Sequence, residues 1–130
     1  MQGQIMLLVV RVAVGAMMFF VHGLPKLMDF QQKAHAFPDP FGVGGRVSLG
    51  MVVFAEVFCS LALILGLMTR LVSIPLAVTM GVAAFHIHAY DPFAKKELAI
   101  MYLLFYLLFI FNGGGRYALD DKIGRPSYFR

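Results

Sequence analysis

Two charged side chains interrupt otherwise apolar runs, and they are the first place to look for chemistry. Arg11 falls within residues 4–22 and Glu56 within residues 47–67. At mid-bilayer such a group costs at least ~2.5–3.5 kcal/mol, so each needs either a partner or a task. At 1.5 Å per residue, Arg11 lies roughly 10 Å below one surface of a ~30 Å core and Glu56 roughly 14 Å below the other. Their heights then differ by about 6 Å, a gap two extended side chains can close. The expectation is a buried Arg11–Glu56 ion pair that fixes helix register. Proton handling and the anchoring of a polar headgroup are the active alternatives.

A second polar group gathers at one membrane surface. His22, Lys26 and Asp29 share a helical face if the first helix continues past Pro25. His86, His88 and Glu97 reach the same level from later segments, which suggests a ligand site of His22, Lys26, His86 and Glu97. Histidine can bind a metal or bond a quinone carbonyl. On an ideal helix His86 and His88 point about 200° apart, and the sequence has no His-x-x-x-His or Glu-x-x-His motif. A quinone suits such a site, whereas metal or haem is not expected; the cofactor itself is not identified. Of the two histidines, His86 lies deeper and is expected to face the bundle. The plainer alternative is that each histidine is an interfacial residue among headgroups. Cys59, the single cysteine, reads as a packing residue and cannot run dithiol chemistry alone.

The elements that must position these residues follow from composition. Hydrophobic residues make up 60% of the 130-residue chain and charged residues 14%. So small a soluble domain could not hide that much apolar surface. The spacing predicts one domain over 1–130: an all-α integral membrane protein, an antiparallel up-down bundle of four transmembrane helices near 4–22, 47–67, 71–88 and 97–111, with a polar tail over 113–130. The first segment reads as a retained helix, without a signal-peptide cleavage site. Pro25 predicts a kink or stop, and Pro75 falls in a first turn where it costs little. Residues 24–37 carry helical periodicity before a Pro-Asp-Pro loop. Ala62-x-x-x-Gly66 and Ala77-x-x-x-Gly81 have the spacing that lets helices approach closely. The net charge of +4 forms no dense basic patch, so membrane lipids are expected as partners and nucleic acid is not. Arg70, Arg116, Lys122, Arg125 and Arg130 on one side balance Lys26, Lys33, Arg46, Lys95 and Lys96 on the other, so charge leaves orientation open.

Taken in order, Arg11, His22-Gly23-Leu24-Pro25-Lys26-Leu27, Ala55-Glu56, Leu65-Gly66-Leu67-Met68-Thr69-Arg70, Glu97 and Gly113-Gly114-Gly115-Arg116-Tyr117-Ala118-Leu119-Asp120 resemble the DoxX family over nearly the whole chain. Gly114 departs from the pattern, since the family often has proline there, and this implies a looser helix exit. The resemblance implies a four-helix protein of the bacterial cytoplasmic (inner) membrane with cytoplasmic termini. It also implies association with quinone-linked or oxidative-stress oxidoreductase systems. Arg70, Arg116 and Asp120 match the family motifs without an assigned role.

Two functions compete on this basis. The first is an accessory or scaffold subunit of a redox complex, or a homo-oligomer, without turnover of its own; the missing redox motif supports it. The second is an intramembrane site for a quinone or similar lipid-soluble ligand that takes part directly in quinol chemistry. A transporter ranks third, because four short unbroken helices leave little room for alternating access.

Overall fold

The computed structural model describes residues 2–124; Met1 and residues 125–130, including Arg125 and Arg130 of the tail, lie outside the described residues. All regular structure among the described residues is helical. The chain runs through α1 (Gln2–Met28), α2 (Phe30–Ala34), α3 (Gly45–Leu65), α4 (Thr69–Ile87), α5 (Phe93–Asn112) and α6 (Leu119–Lys122). Three of these, α1, α3 and α4, are long and apolar enough to cross a membrane. Helix α5 has 20 residues but carries Lys95, Lys96 and Glu97 in its first turns. Large apolar side chains such as Phe20, Val21, Phe54, Phe58 and Leu104 face outward, as lipid contact demands.

Helix α1 does not stop at Pro25. It loosens into a π-helical stretch over Met18–Gly23, with Leu24 N–H donating to the Phe19 carbonyl, and then continues to Met28. The wider turn just ahead accommodates a residue that cannot donate to the carbonyl of Val21. Pro75 also departs from expectation. Because α4 begins at Thr69, the proline sits inside the helix, and the hydroxyl of Thr79 donates to its carbonyl at 2.8 Å. Helix α5 begins at Phe93, four residues earlier than the sequence suggests, so Glu97 does not open it.

Glycines set the register of α1 against α3, though not those of the small-residue motifs. A Cβ on Gly15 would lie 2.6 Å from Ile64 Cγ1, and one on Gly23 would lie 2.6 Å from the Glu56 carbonyl oxygen. The two helices are therefore antiparallel, with their backbones in near contact at Gly23. Gly81 meets nothing within 4 Å, and Gly66 ends a helix rather than packing one. Gly23→Ala should lower stability in detergent by about 1–3 kcal/mol, since helix backbone cannot yield as a side chain would. A melting temperature equal to the parent's would show that α1 and α3 can part freely.

The main core joins Val14 and Met18 of α1, Ala55, Cys59 and Leu63 of α3, Leu76 and Ala77 of α4, and Tyr106 and Phe109 of α5. Cys59 is thus a packing residue. A smaller cluster of Ala34, Leu49, Val53 and Val57 seats α2 beside α3.

The turn between α3 and α4 is a Schellman close. Leu67 N–H donates to the Ala62 carbonyl at 2.8 Å and Gly66 N–H to the Leu63 carbonyl at 3.1 Å, with Gly66 at φ +77°. Residues 113–122 fold back onto this turn. Asp120 N–H donates to the Gly66 carbonyl, its carboxylate accepts from Thr69 N–H at 3.1 Å, and Arg116 N–H donates to Gln4 Oε1. Gly114 is not loosely held: a Cβ there would lie 2.5 Å from Thr69 Oγ1.

Candidate functional site

The family-motif residues separate into two groups at opposite ends of α3. The expected Arg11–Glu56 pair does not form. Arg11 is buried at the tail end, where it donates to the Gly114 carbonyl at 2.7 Å and more distantly to the Ile64 carbonyl at 3.4 Å, with Asp120 close enough to attract it. Glu56 is bonded instead to Lys26, whose ammonium lies 2.5 and 2.9 Å from its two carboxylate oxygens. The register explains the difference. Glu56 sits opposite Gly23, twelve residues along α1 from Arg11, or about 18 Å at 1.5 Å per residue. Arg70 donates to the Ile110 and Phe111 carbonyls, tying the start of α4 to the end of α5. Arg11, Arg70 and Asp120 therefore belong to a structural knot, and the side chain of Arg116 is exposed beside it.

At the other end, α1, α3, α4 and α5 line a partly open cavity of about 870 Å³. Its wall is largely apolar, with Met18, Met51, Phe54, Ala55, Ile74, Val78 and Leu98 among its residues. Phe37, Pro38, Pro40 and Phe41 of the loop after α2 also line it. The polar contributors include His22 and Lys26 of α1, Glu56 of α3, His88 after α4, and Lys95 and Tyr102 of α5; Ser48 and Thr79 also line it, but their hydroxyls are bonded to Asp39 and to the Pro75 carbonyl. The His22 and Tyr102 rings meet edge to face, with centroids 5.5 Å apart.

Three π-helical stretches contribute to this wall: Met18–Gly23 with His22, Phe54–Cys59 with Glu56, and Ala83–Ile87 just before His88. Such turns recur at functional sites because the added residue re-aims the side chains beyond it. Here that re-aiming exchanges the two histidines. His86 is exposed and does not line the cavity, whereas His88 does. The angular step of an ideal α-helix does not hold through Ala83–Ile87, where His88 N–H reaches back five residues to the Ala83 carbonyl. Glu97 is exposed and outside the wall as well; Lys95 takes the place expected for it. Of the four expected site residues, the structure therefore brings His22 and Lys26 together and leaves His86 and Glu97 apart from them. Glu56, His88 and Tyr102 join them, and α1 and α3 could have been aligned from sequence by treating Gly15 and Gly23 as contact points. Among the described residues, no three His, Cys, Asp or Glu side chains come together as a metal would require.

The loop over the cavity is fastened by Asp39. Its carboxylate accepts from Val43 N–H at 3.0 Å, Gly44 N–H at 2.6 Å and the Ser48 hydroxyl at 2.8 Å, at the start of α3. The Gly44 amide above all, then the Ser48 hydroxyl, hold this carboxyl below the ordinary carboxylate range. The folded value is depressed, so the fastening is complete above the unfolded value and is lost as pH falls through the folded one. Amides of residues 41–44 should exchange faster in acid below the ordinary carboxylate range than at pH 6, after correction for intrinsic rates. Asp39→Ala should show that faster exchange at both pH values. Unchanged protection in the variant would mean that other contacts hold the loop. At the far side, Asp91 is also held low, chiefly by its 2.7 Å bond to His88 Nδ1.

Comparisons with known proteins agree with the motifs from which this geometry is built. The DoxX family model matches residues 6–89, which include Arg11, the His22–Leu27 segment, Glu56 and the α3–α4 turn. An uncharacterized protein of Haemophilus influenzae is 37% identical over 117 residues, spanning 82% of this chain and 83% of its own length. No solved structure matches the chain. With its motif residues divided between a tail knot and a cavity wall, and three helices fit to cross a membrane, this chain is a membrane protein that belongs to the DoxX family.

Proposed function

We propose that this protein is a ligand-holding subunit of the bacterial inner membrane, spanning it four times with both termini in the cytoplasm. It carries a quinone or a similar lipid-soluble ring in the cavity between α1, α3, α4 and α5, on behalf of a quinone-linked or oxidative-stress oxidoreductase system, without turnover of its own. The observation that carries this reading is the cavity. Its size falls within the ~300–1,000 Å³ typical of small-molecule sites, and an apolar wall converges on a few polar groups. That feature favours ligand binding over a purely scaffolding role. Family membership supports the redox setting, and α5 supplies the fourth span if Lys95 and Lys96 reach up to the headgroups.

Gly50 provides the test. It lines the cavity, and a Cβ there would meet no atom within 4 Å. Decylubiquinone should raise the melting temperature of the purified protein by a few degrees, as a ligand selective for the folded state does. Gly50→Phe should fold normally and lose that response. A parent protein indifferent to the quinone, or a variant that responds as strongly as the parent, would count against the reading. Reporter fusions after residues 36 and 130 should label from opposite sides of the membrane, and labelling from one side would defeat the four-span topology.

A further inference from the structure

We propose that the cavity selects an uncharged head that accepts hydrogen bonds, and rejects carboxylate and phosphate heads, because Lys26, the partly buried cation of its wall, is already neutralised there. This rests on the reading of the cavity as a ligand site and specifies its ligand.

The Glu56 side chain is 2% exposed and has both oxygens on the Lys26 ammonium, while Lys26 is 24% exposed and presents that ammonium to the cavity. Two of its three N–H groups serve the carboxylate. The third, with the His22 ring and the Tyr102 hydroxyl, is left for a ligand. An ammonium can only donate, whereas the ring and the hydroxyl can do either, so the set is rich in donors and suits a carbonyl. An anionic head could reach Lys26 in two ways. It could share the ammonium with Glu56, placing like charges side by side in an apolar wall, or it could displace Glu56 and leave a buried carboxylate unpaired. Both are unfavourable, and a cationic head would meet the ammonium directly. Lys33 acts on Glu56 from a distance and Lys95 stands at the rim, but both are exposed and screened by water.

The acceptor could be a ring dione or the ester carbonyl of a lipid, so the probes are decylubiquinone, methyl oleate and oleate. Each is offered at pH 9 to protein in phosphatidylcholine nanodiscs, and the retained probe is measured per protein by mass spectrometry after washing with empty vesicles. The parent protein should retain methyl oleate or decylubiquinone at least about tenfold over oleate, since a tenfold ratio needs only 1.4 kcal/mol of the cost of an unpaired buried charge. Decylubiquinone above methyl oleate assigns the acceptor to a ring dione, and the reverse order assigns it to an ester; either order above oleate sustains the selection. Glu56→Gln frees the Lys26 charge and should raise oleate retention by about tenfold. Lys26→Met with Glu56→Gln should restore the preference for neutral heads. Equal retention of oleate and methyl oleate by the parent would overturn the selection while leaving the cavity a ligand site. Retention of none of the three would remove the ligand reading and the selection together. The parent protein alone decides between these outcomes, whether or not Glu56→Gln folds.

Discussion

Lys26→Met is expected to destabilise the protein by about 3 kcal/mol, and adding Glu56→Gln should recover most of that loss. The single change leaves Glu56 in an apolar wall without the ammonium that both its oxygens face. Its side chain is nearly inaccessible, so water cannot take over. The double change removes both charges and leaves a neutral amide facing an apolar chain, which costs far less to bury unpaired than a carboxylate does. The figure is set at the low end of the range for broken buried pairs because Lys26 is partly exposed. Denaturant unfolding in a mixed micelle of fixed composition would measure the cycle. If the two losses simply added, the pair would contribute nothing, and the case for a neutralised cavity wall would weaken with it.

The sequence made legible what depends on hydropathy and on proline and glycine chemistry. Apolar runs of membrane-spanning length placed α1, α3 and α4 within a few residues, apart from the extension of α1 beyond Pro25. It also marked Arg11, Glu56, His22 and Lys26 as residues that need partners, but it paired the first two wrongly. That error came from measuring depth from the ends of apolar runs. The first helix runs six residues past His22, which shifts Arg11 toward the tail end. The correct alignment lay in Gly15 and Gly23, eight residues apart and both pressed against α3. The exchange of His86 for His88 was not legible, because an apolar helix gives no sign of where one of its turns widens. Nor was the tail. Gly113-Gly114-Gly115 reads as a helix stop, and only the structure shows that the Gly114 carbonyl is the acceptor for Arg11.

Arg11→Met should destabilise the protein by about 3 kcal/mol or more and should loosen the tail without emptying the cavity. The guanidinium donates to the Gly114 carbonyl at 2.7 Å and lies within the field of Asp120, which is fully buried and caps α4 through Thr69 N–H. Removing it strips a buried carbonyl of its donor and a buried carboxylate of a nearby cation, in a region where Gly66 and Gly114 leave the backbone no slack. Arg11→Lys should fall between, since it keeps the charge but loses the planar fork. The cycles discriminate between partners. Arg11→Met and Glu56→Gln should be additive within about 0.5 kcal/mol, because the two side chains share no partner and sit far apart along α1. Arg11→Met and Asp120→Asn should couple by at least about 1 kcal/mol. Residues 113–122 of Arg11→Met should exchange amide hydrogens faster and be cut sooner by protease, while Lys26 and Glu56 stay paired and quinone retention stays at the parent level. Coupling of Arg11 to Glu56 rather than to Asp120 would restore the pairing that depth alone suggests. A tail as protected in Arg11→Met as in the parent would show that Arg11 is not what holds it.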